Sequence, residues 1–210
     1  YNSKMKKFKT PQEKFWAGNF GNKYLKRNNK IINLRSNENL FNLALKKTKK
    51  VNSCLELGAG SGKNLICLKK RYKKILLQAV EINSQSAKQV GKIINENNVF
   101  NKSIIEFKTN NNYDLVLIKG VLMHISPKEL LKVYNLLFKL SKKYILICDY
   151  YNPSPISVVY RSFKNKLFKR DFAGEMLKKF KRLKLIDYGF VYKNDPKYPL
   201  DDVSWFLLKK

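Results

Sequence analysis

The segment Leu55-Glu56-Leu57-Gly58-Ala59-Gly60-Ser61-Gly62 decides how this chain is read. Residues 51–57 form an apolar run of strand length. The glycines that end it are spaced G-x-G-x-G, so the backbone can turn sharply and approach a ligand with no Cβ in the way. A helical pattern follows at 63–72. A pyrophosphate-binding turn, G-x-G-x-x-G, would need a third glycine where Lys63 stands, and no G-K-[ST] follows four spacers. Both dinucleotide and P-loop readings are therefore disfavoured. The second apolar run, 75–82, ends in Ala79-Val80-Glu81-Ile82. Glu81 stands 23 residues after Gly58, close to the spacing of about 20 at which a strand-end carboxylate takes both hydroxyls of a ribose. Strand, glycine turn, helix, strand and terminal Glu together point to a nucleoside without a diphosphate.

Outward from this core, strand and helix signals alternate. Further strands are expected at 99–101, 113–119, 144–149, 183–192 and 203–208. Helices are expected at 84–96 with Ser84 as N-cap, at 127–140 opened by Pro127, and at 171–181 with Phe172, Met176, Leu177 and Phe180 on one face. Asn152-Pro153-Ser154-Pro155 bounds the strand at 144–149, and the chain from there to Asp171 reads as an irregular basic stretch. Helices between successive strands imply right-handed crossovers, and the last two strands, with no helix between them, pair antiparallel. The expected fold is α/β: a Rossmann-like, seven-stranded, mostly parallel sheet with helices on both faces and an antiparallel last strand pair. Residues 1–50 contain no strand of that sheet. They read as an N-terminal helical lid segment, with helices at 11–18 and 38–49 around a loop at 19–33, ahead of a single domain over 51–210.

Composition sets the outer bounds. The 210 residues are 44% hydrophobic, 13% aromatic and 28% charged, which excludes disordered and disulfide-scaffold classes. The 44 Lys+Arg against 15 Asp+Glu leave a net charge of +29. Such an excess invites a polyanion partner. Only Arg27, Arg35, Arg71, Arg161, Arg170 and Arg182 are arginine, however, and the other 38 cations are lysine. Lys, Asn and Ile share A/T-rich codons, so a low-GC genome yields this surface without selection for nucleic acid, whose specific readers favour the arginine fork. Cys54, Cys67 and Cys148 sit among apolar neighbours without C-x-x-C spacing and read as reduced and buried, as in a cytoplasmic protein. No apolar run approaches the length of about 18 residues that a membrane span needs. No metal is expected, and oligomeric state is not legible.

The glycine turn, Glu81 and the trailing strand pair resemble the class I S-adenosylmethionine-dependent methyltransferases. That resemblance implies a turn of Glu56, Gly58, Ala59, Gly60 and Gly62 around the methionyl part of the cofactor, with Glu56 near its amino group. It implies Glu81 and Ile82 at the ribose, Ser103 and Ile104 flanking the adenine, and Lys119 and Val121 bordering the cofactor after the fourth strand. A closer resemblance runs through Phe15-Trp16-Ala17-Gly18-Asn19-Phe20-Gly21-Asn22-Lys23-Tyr24-Leu25-Lys26-Arg27-Asn28, Lys119-Gly120-Val121-Leu122-Met123-His124-Ile125, Asp149-Tyr150-Tyr151-Asn152-Pro153 and Phe168-Lys169-Arg170-Asp171-Phe172-Ala173-Gly174-Glu175-Met176. These motifs look like the methylases associated with pseudaminic acid biosynthesis. They imply a nonulosonic sugar, or its nucleotide-linked precursor, as acceptor.

Methyl transfer is an in-line displacement, so alignment and water exclusion dominate, and a base is needed only where the acceptor must lose a proton. His124, the sole histidine, is the candidate base or substrate hydrogen-bonder, or alternatively a packing residue on its loop. Asp149 and Tyr150 are candidates for orienting the acceptor, with Asp149 equally suited to capping the loop before Pro153. Trp16, Tyr24 and Arg27 could close over the cofactor, and Tyr151, Arg161, Lys169 and Arg170 could hold an anionic small-molecule acceptor. An RNA methyltransferase using the basic surface is the alternative, but no D/N-P-P-[YFW] follows the fourth strand.

Overall fold

The computed structural model describes residues 8–28 and 34–210. Among the described residues three helices precede the sheet: α1 (Pro11–Ala17), α2 (Asn19–Asn28) and α3 (Leu34–Ala44). There follow β1 (Ser53–Leu57), α4 (Lys63–Arg71), β2 (Leu76–Val80), α5 (Ser84–Ile94), β3 (Val99–Phe100), β4 (Tyr113–Lys119), α6 (Leu130–Leu140) and β5 (Ser141–Asp149). A hairpin of β6 (Ile156–Tyr160) and β7 (Phe163–Lys169) comes next, then α7 (Phe172–Lys179), β8 (Lys184–Val191) and β9 (Val203–Lys209).

Seven strands form one sheet in the order β3-β2-β1-β4-β5-β9-β8. The pairings from β3 to β5 are parallel, and β9 pairs antiparallel with both β5 and β8. The expected fold is thus the observed one. Side chains alternate across the sheet with the period of two that a strand imposes. Cys54, Leu115 and Leu117 face a cluster with Leu40, Phe41, Leu65, Leu68 and Val90, whereas Leu55, Leu57, Val116 and Ile118 face one with Val133, Leu137, Phe172 and Met176. Both faces are covered, so the central strands read as continuous apolar runs. All three cysteines are buried thiols, and among the described residues no helix is long and apolar enough to cross a membrane.

Three differences from expectation have physical causes. Ser84 is not the N-cap of α5. Asn83 is, because its side-chain oxygen accepts the Ser86 amide at 3.0 Å. Pro127 opens a 3-10 turn (Pro127–Glu129) and the α-helix begins at Leu130. The stretch between Pro155 and Asp171 is not irregular, since most of it forms the β6–β7 hairpin, a separate two-stranded sheet.

The N-terminal segment also differs. Most of the expected loop at 19–33 is helix α2, and residues 29–33 lie outside the described ones. Helix α1 is set by local chemistry. Thr10 caps it, with its Oγ accepting the Glu13 amide at 3.2 Å while Glu13 Oε2 accepts the Thr10 amide at 2.9 Å, a reciprocal capping box with Pro11 in the first turn. Helix α2 lacks such signals and depends on close approach. A Cβ on Gly21 would lie 1.8 Å from the Trp16 carbonyl oxygen and 2.9 Å from Asn83 Nδ2, so only glycine lets α2 fold back against α1. The variant Gly21→Ala should therefore loosen residues 11–28, seen as faster amide hydrogen exchange there with the sheet unchanged. Unaltered exchange would show that the contact is dispensable.

Candidate active site

The strand order reverses between β1 and β4, and a cavity of about 640 Å³ opens there at the carboxyl ends of the strands, the position at which open α/β sheets take their ligands. Its floor is the turn after β1. Gly58 has φ +81°, and a Cβ on it would lie 2.6 Å from Val121 Cγ2, so the residue must be glycine for both conformation and space. The Gly58 amide donates to the Val80 carbonyl at 2.8 Å, tying this turn to β2. The Gly60 amide then donates to Glu81 Oε2 at 2.7 Å, while Glu81 Oε1 accepts the Asn83 amide at 2.8 Å. Burial raises the Glu81 pKa, and these amide donors oppose the shift.

Glu56 lies deeper and is fully buried. Its Oε1 accepts from Asn64 Nδ2 at 2.6 Å, and its Oε2 has no hydrogen-bond partner among the described residues. Burial pushes its pKa up to about 8, against the lowering effects of the Asn64 hydrogen bond and the nearby Lys119. Asn64, Lys63 and Lys119 line the cavity above it.

The roof comes from two places. Trp16 and Tyr24 of the N-terminal helices line the cavity, as do Tyr160 and Arg161 at the hairpin tip. Trp16 packs edge-on against Tyr24 at 5.2 Å between ring centroids and lies 4.6 Å from the His124 ring, which in turn is 5.0 Å from Tyr160. His124 Nδ1 lies 2.6 Å from the Lys166 carbonyl oxygen. A carbonyl can only accept, so Nδ1 carries the hydrogen. Burial lowers the His124 pKa to about 4, against the Lys166 hydrogen bond, which leaves the ring neutral at pH 7 with Nε2 unprotonated.

Of the residues expected at the site, the structure brings Trp16, Tyr24, Ala59, Gly60, Glu81 and Ile82 together around this cavity. Ser103, Ile104, Lys119, Val121, His124, Tyr150 and Arg161 line it as well. Gly62 supports the floor as the left-handed N-cap of α4.

Others fall elsewhere. Asp149 is buried as a loop cap, with Oδ2 accepting the Val121 and Leu122 amides at 3.1 and 2.9 Å, and it does not line the cavity. Arg27 does not line it either, and its guanidinium lies over the Phe20 ring, 5.5 Å from the centroid. Arg170 is held at 2.6 Å by Glu175, which also accepts the Tyr134 hydroxyl, so its charge is used in packing α7. Tyr151 is exposed, with Phe206 its ring neighbour at 6.1 Å. Lys169 borders a smaller adjoining cavity with Tyr150, Lys193, Asp201 and Asp202.

Sequence reasoning missed Glu13, Asn37, Asn64, Tyr160, Lys193 and Asp201, all of which line the main cavity. The Thr10-x-x-Glu13 capping signature marked Glu13 as a helix residue, but not its second role. Its Oε1 accepts a hydrogen bond from Ser103 Oγ across the cavity wall.

The fold just described is that of the S-adenosylmethionine-dependent methyltransferases. A methyltransferase of this kind from Clostridium acetobutylicum superposes with TM-score 0.65 at 12% identity, covering 91% of this chain and 99% of that one. The 1,6-didemethyltoxoflavin-N1-methyltransferase of Burkholderia thailandensis gives 0.65 at 14%, with 89% and 83% covered. The N-methyltransferase NodS of Bradyrhizobium japonicum gives 0.62 at 11%, with 90% and 97% covered. At these identities the likeness is one of fold. No curated protein sequence matches the chain. The family model of TehB, described as tellurite resistance protein TehB, matches residues 23–179, and the chain belongs to that family.

The burial of the Glu56 carboxyl has a measurable consequence. Its folded pKa, about 8, lies above the unfolded value of 4.5, so its contribution to stability is complete below 4.5 and is lost as pH rises through 8. Glu56→Gln retains an acceptor for Asn64. Denaturant unfolding should find it gaining on the parent from pH 5 to pH 9; a parallel pH dependence of the two proteins would refute the assignment.

Proposed function

We propose that this chain transfers a methyl group from S-adenosylmethionine to a small polar acceptor. The observation that carries the reading is the Gly60–Glu81 contact on the cavity floor, where a glycine turn and a strand-end carboxylate meet as a nucleoside site requires. Glu81, with Ile82 beside it, would hold the ribose. Ser103 and Ile104 would flank the base, and Gly60 and Lys119 would border the methionyl end. The orphaned Oε2 of buried Glu56 fits an ammonium group there. When bound, the cofactor supplies a methyl carbon activated on a sulfonium.

The residues of this chain have three tasks. The ring cluster of Trp16, Tyr24, His124 and Tyr160 excludes water from the transfer path. Tyr24 and Tyr150, whose pKa values burial pushes up to about 12, remain phenols that donate to an acceptor oxygen. His124 Nε2, unprotonated and fixed by the Lys166 carbonyl, accepts the hydrogen of the acceptor O–H or N–H and aligns its lone pair with the methyl carbon. A residue with pKa about 4 orients such a proton more than it removes it, so turnover should stay level between pH 6 and 8 as far as His124 is concerned.

Arg161, Lys193 and Asp201 also line the cavity. Those cations support an anionic acceptor. The motifs around Trp16 and His124 support a nonulosonic sugar or its nucleotide-linked precursor, and the family's description raises tellurite as a rival anion.

Calorimetry with S-adenosylhomocysteine should show binding that Glu81→Ala weakens about tenfold or more, the cost of a lost charge-assisted contact. Affinity that survives the substitution would remove Glu81 from the site. Release of S-adenosylhomocysteine should then be stimulated by free or nucleotide-linked nonulosonic sugars and not by neutral hexoses. Stimulation by tellurite alone would replace the sugar reading. With an active acceptor, His124→Phe should keep cofactor affinity and lose at least a hundredfold in turnover; normal turnover would leave His124 a packing residue.

A further inference from the structure

Among the described residues, the seven-stranded sheet has two edges, β3 and β8. Strand β3 is only two residues long, and so short an edge offers little to pair with. Strand β8 has eight residues, and a register shift between Leu185 and Asp187 confines its regular pairing with β9 to Asp187–Val191. One face of β8 is covered, since Ile186 and Val191 join the cluster that holds Leu40 and Phe41 of α3. The other face is open. Tyr188 is 66% exposed and Phe190 56%, and Leu185 and Tyr192 are exposed as well. The Phe206 ring, stacked 6.4 Å from that of Tyr188, continues the patch onto β9.

Composition makes this surface unusual. The chain holds 38 lysines in 210 residues, yet Leu185-Ile186-Asp187-Tyr188-Gly189-Phe190-Val191-Tyr192 contains none. The exposed start of β7, by contrast, reads Phe163-Lys164-Asn165-Lys166. Codon bias places lysine on free surface, and lysine on an open edge also blocks edge-to-edge pairing. Its absence here, beside exposed aromatics, marks a surface that another strand covers. The one charge of the stretch, Asp187, sits opposite buried Leu207 on the covered face, where Lys47 meets it at 3.1 Å and Lys46 at 3.9 Å.

Charge also selects the occupant. A nucleic acid or an acidic protein is drawn to lysine. Two copies of a chain carrying +29 repel each other everywhere except through a face free of unmatched cations, and β8 presents one. We infer that β8 is a dimerisation edge, through which two copies of this chain pair antiparallel over Asp187–Val191 about a two-fold axis at Gly189. The regular stretch is centred on Gly189, so this axis sets Tyr188 of each copy opposite Phe190 of the other. Aromatic cross-strand pairs of this kind stabilise sheets, and Asp187 then faces Val191 of the second copy rather than its own equivalent. The contact is isologous, as a two-fold axis requires. A patch of this type buries roughly 300–600 Å² per copy, less than the ~800 Å² per partner of a standard complex, so the dimer is of micromolar strength. It is independent of the proposed activity.

Sedimentation equilibrium of the full chain from about 1 μM to about 200 μM should show the mass rising from 24.7 kDa towards twice that value. Added salt should strengthen the association, because it screens the repulsion between the copies. Phe190→Lys, at a position more than half exposed, should leave the thermal unfolding transition in place and keep the chain monomeric over the whole range; Tyr188→Lys gives the same readout should Phe190→Lys fail to fold. The three native cysteines are buried, so the register can be read by disulfide formation. An equimolar mixture of Tyr188→Cys and Phe190→Cys chains should cross-link under mild oxidation far more readily than either chain alone. A mass that stays at 24.7 kDa, a dimer that both lysine variants leave intact, or an association that weakens with salt each overturns the inference. So does a mixture that cross-links no better than its components.

Discussion

The Glu81 carboxylate ties together several separate parts of the molecule. One oxygen takes the Gly60 amide from the turn after β1, and the other takes the Asn83 amide from the turn after β2. Asn83 then caps α5 with its side-chain oxygen and reaches the N-terminal helices with its amide, donating to the Trp16 carbonyl at 3.2 Å and to Asn22 Oδ1 at 2.8 Å. Two strand ends, a helix start and the roof are thereby placed relative to one buried carboxyl group. Burial raises the pKa of that carboxyl, and backbone amides of fixed direction oppose the shift by replacing the water it lost. The same geometry keeps the cavity floor rigid while the roof is carried on separate elements.

This division explains what could be read from residues alone. The floor was legible because its constraints are local: a glycine turn needs glycine at Gly58, and the carboxylate at a strand end follows from its spacing. The central strands were legible because burial on both faces demands continuous apolar runs such as Leu115-Val116-Leu117-Ile118. Helix α2 was not, since Asn19-Phe20-Gly21-Asn22 has poor helix propensity and forms by packing against Trp16 and Asn83. The hairpin was hidden for a related reason. Its turn is Arg161-Ser162, both at positive φ, where Asn-Gly would be the usual signal. Spacing places Asp149 and Arg170 near the site but carries no information on where a side chain points, and both point into packing.

The charge of +29 becomes more specific when the acids are followed. Glu56, Glu81 and Asp149 are buried and engaged by hydrogen-bond donors, and Glu175 is shared between Arg170 and Tyr134. Surface pairs such as Lys70–Glu38 and Lys132–Glu129 have their lysines well exposed and contribute little each. The excess cations are mostly solvated lysines, as codon bias alone would produce. The informative ones are the few that line the cavity, Lys63, Lys119, Arg161 and Lys193. Of the arginines singled out from the sequence, only Arg161 is among them.

The hairpin tip that carries Arg161 is also where backbone strain collects. Arg161, Ser162 and Asn165 all have positive φ, a conformation that costs non-glycine residues free energy and persists only where the surroundings over-determine it. Those surroundings are the N-terminal helices and the loop after β4. Gln12 Nε2 donates to the Asn165 carbonyl at 2.9 Å, Phe163 meets the Phe15 ring edge-on at 4.9 Å, and His124 binds the neighbouring Lys166 carbonyl. His124 is thus packed against the Trp16 and Tyr160 rings as well as bonded to the Lys166 carbonyl, and this burial is what lowers its pKa, against the opposing effect of the hydrogen bond. The hairpin keeps its strained shape because helix α1 and the His124 loop hold it, and α1 in turn is held at Glu81 through Asn83. Acceptor end and cofactor end are therefore mechanically continuous through the N-terminal segment, although the two ends share no strand.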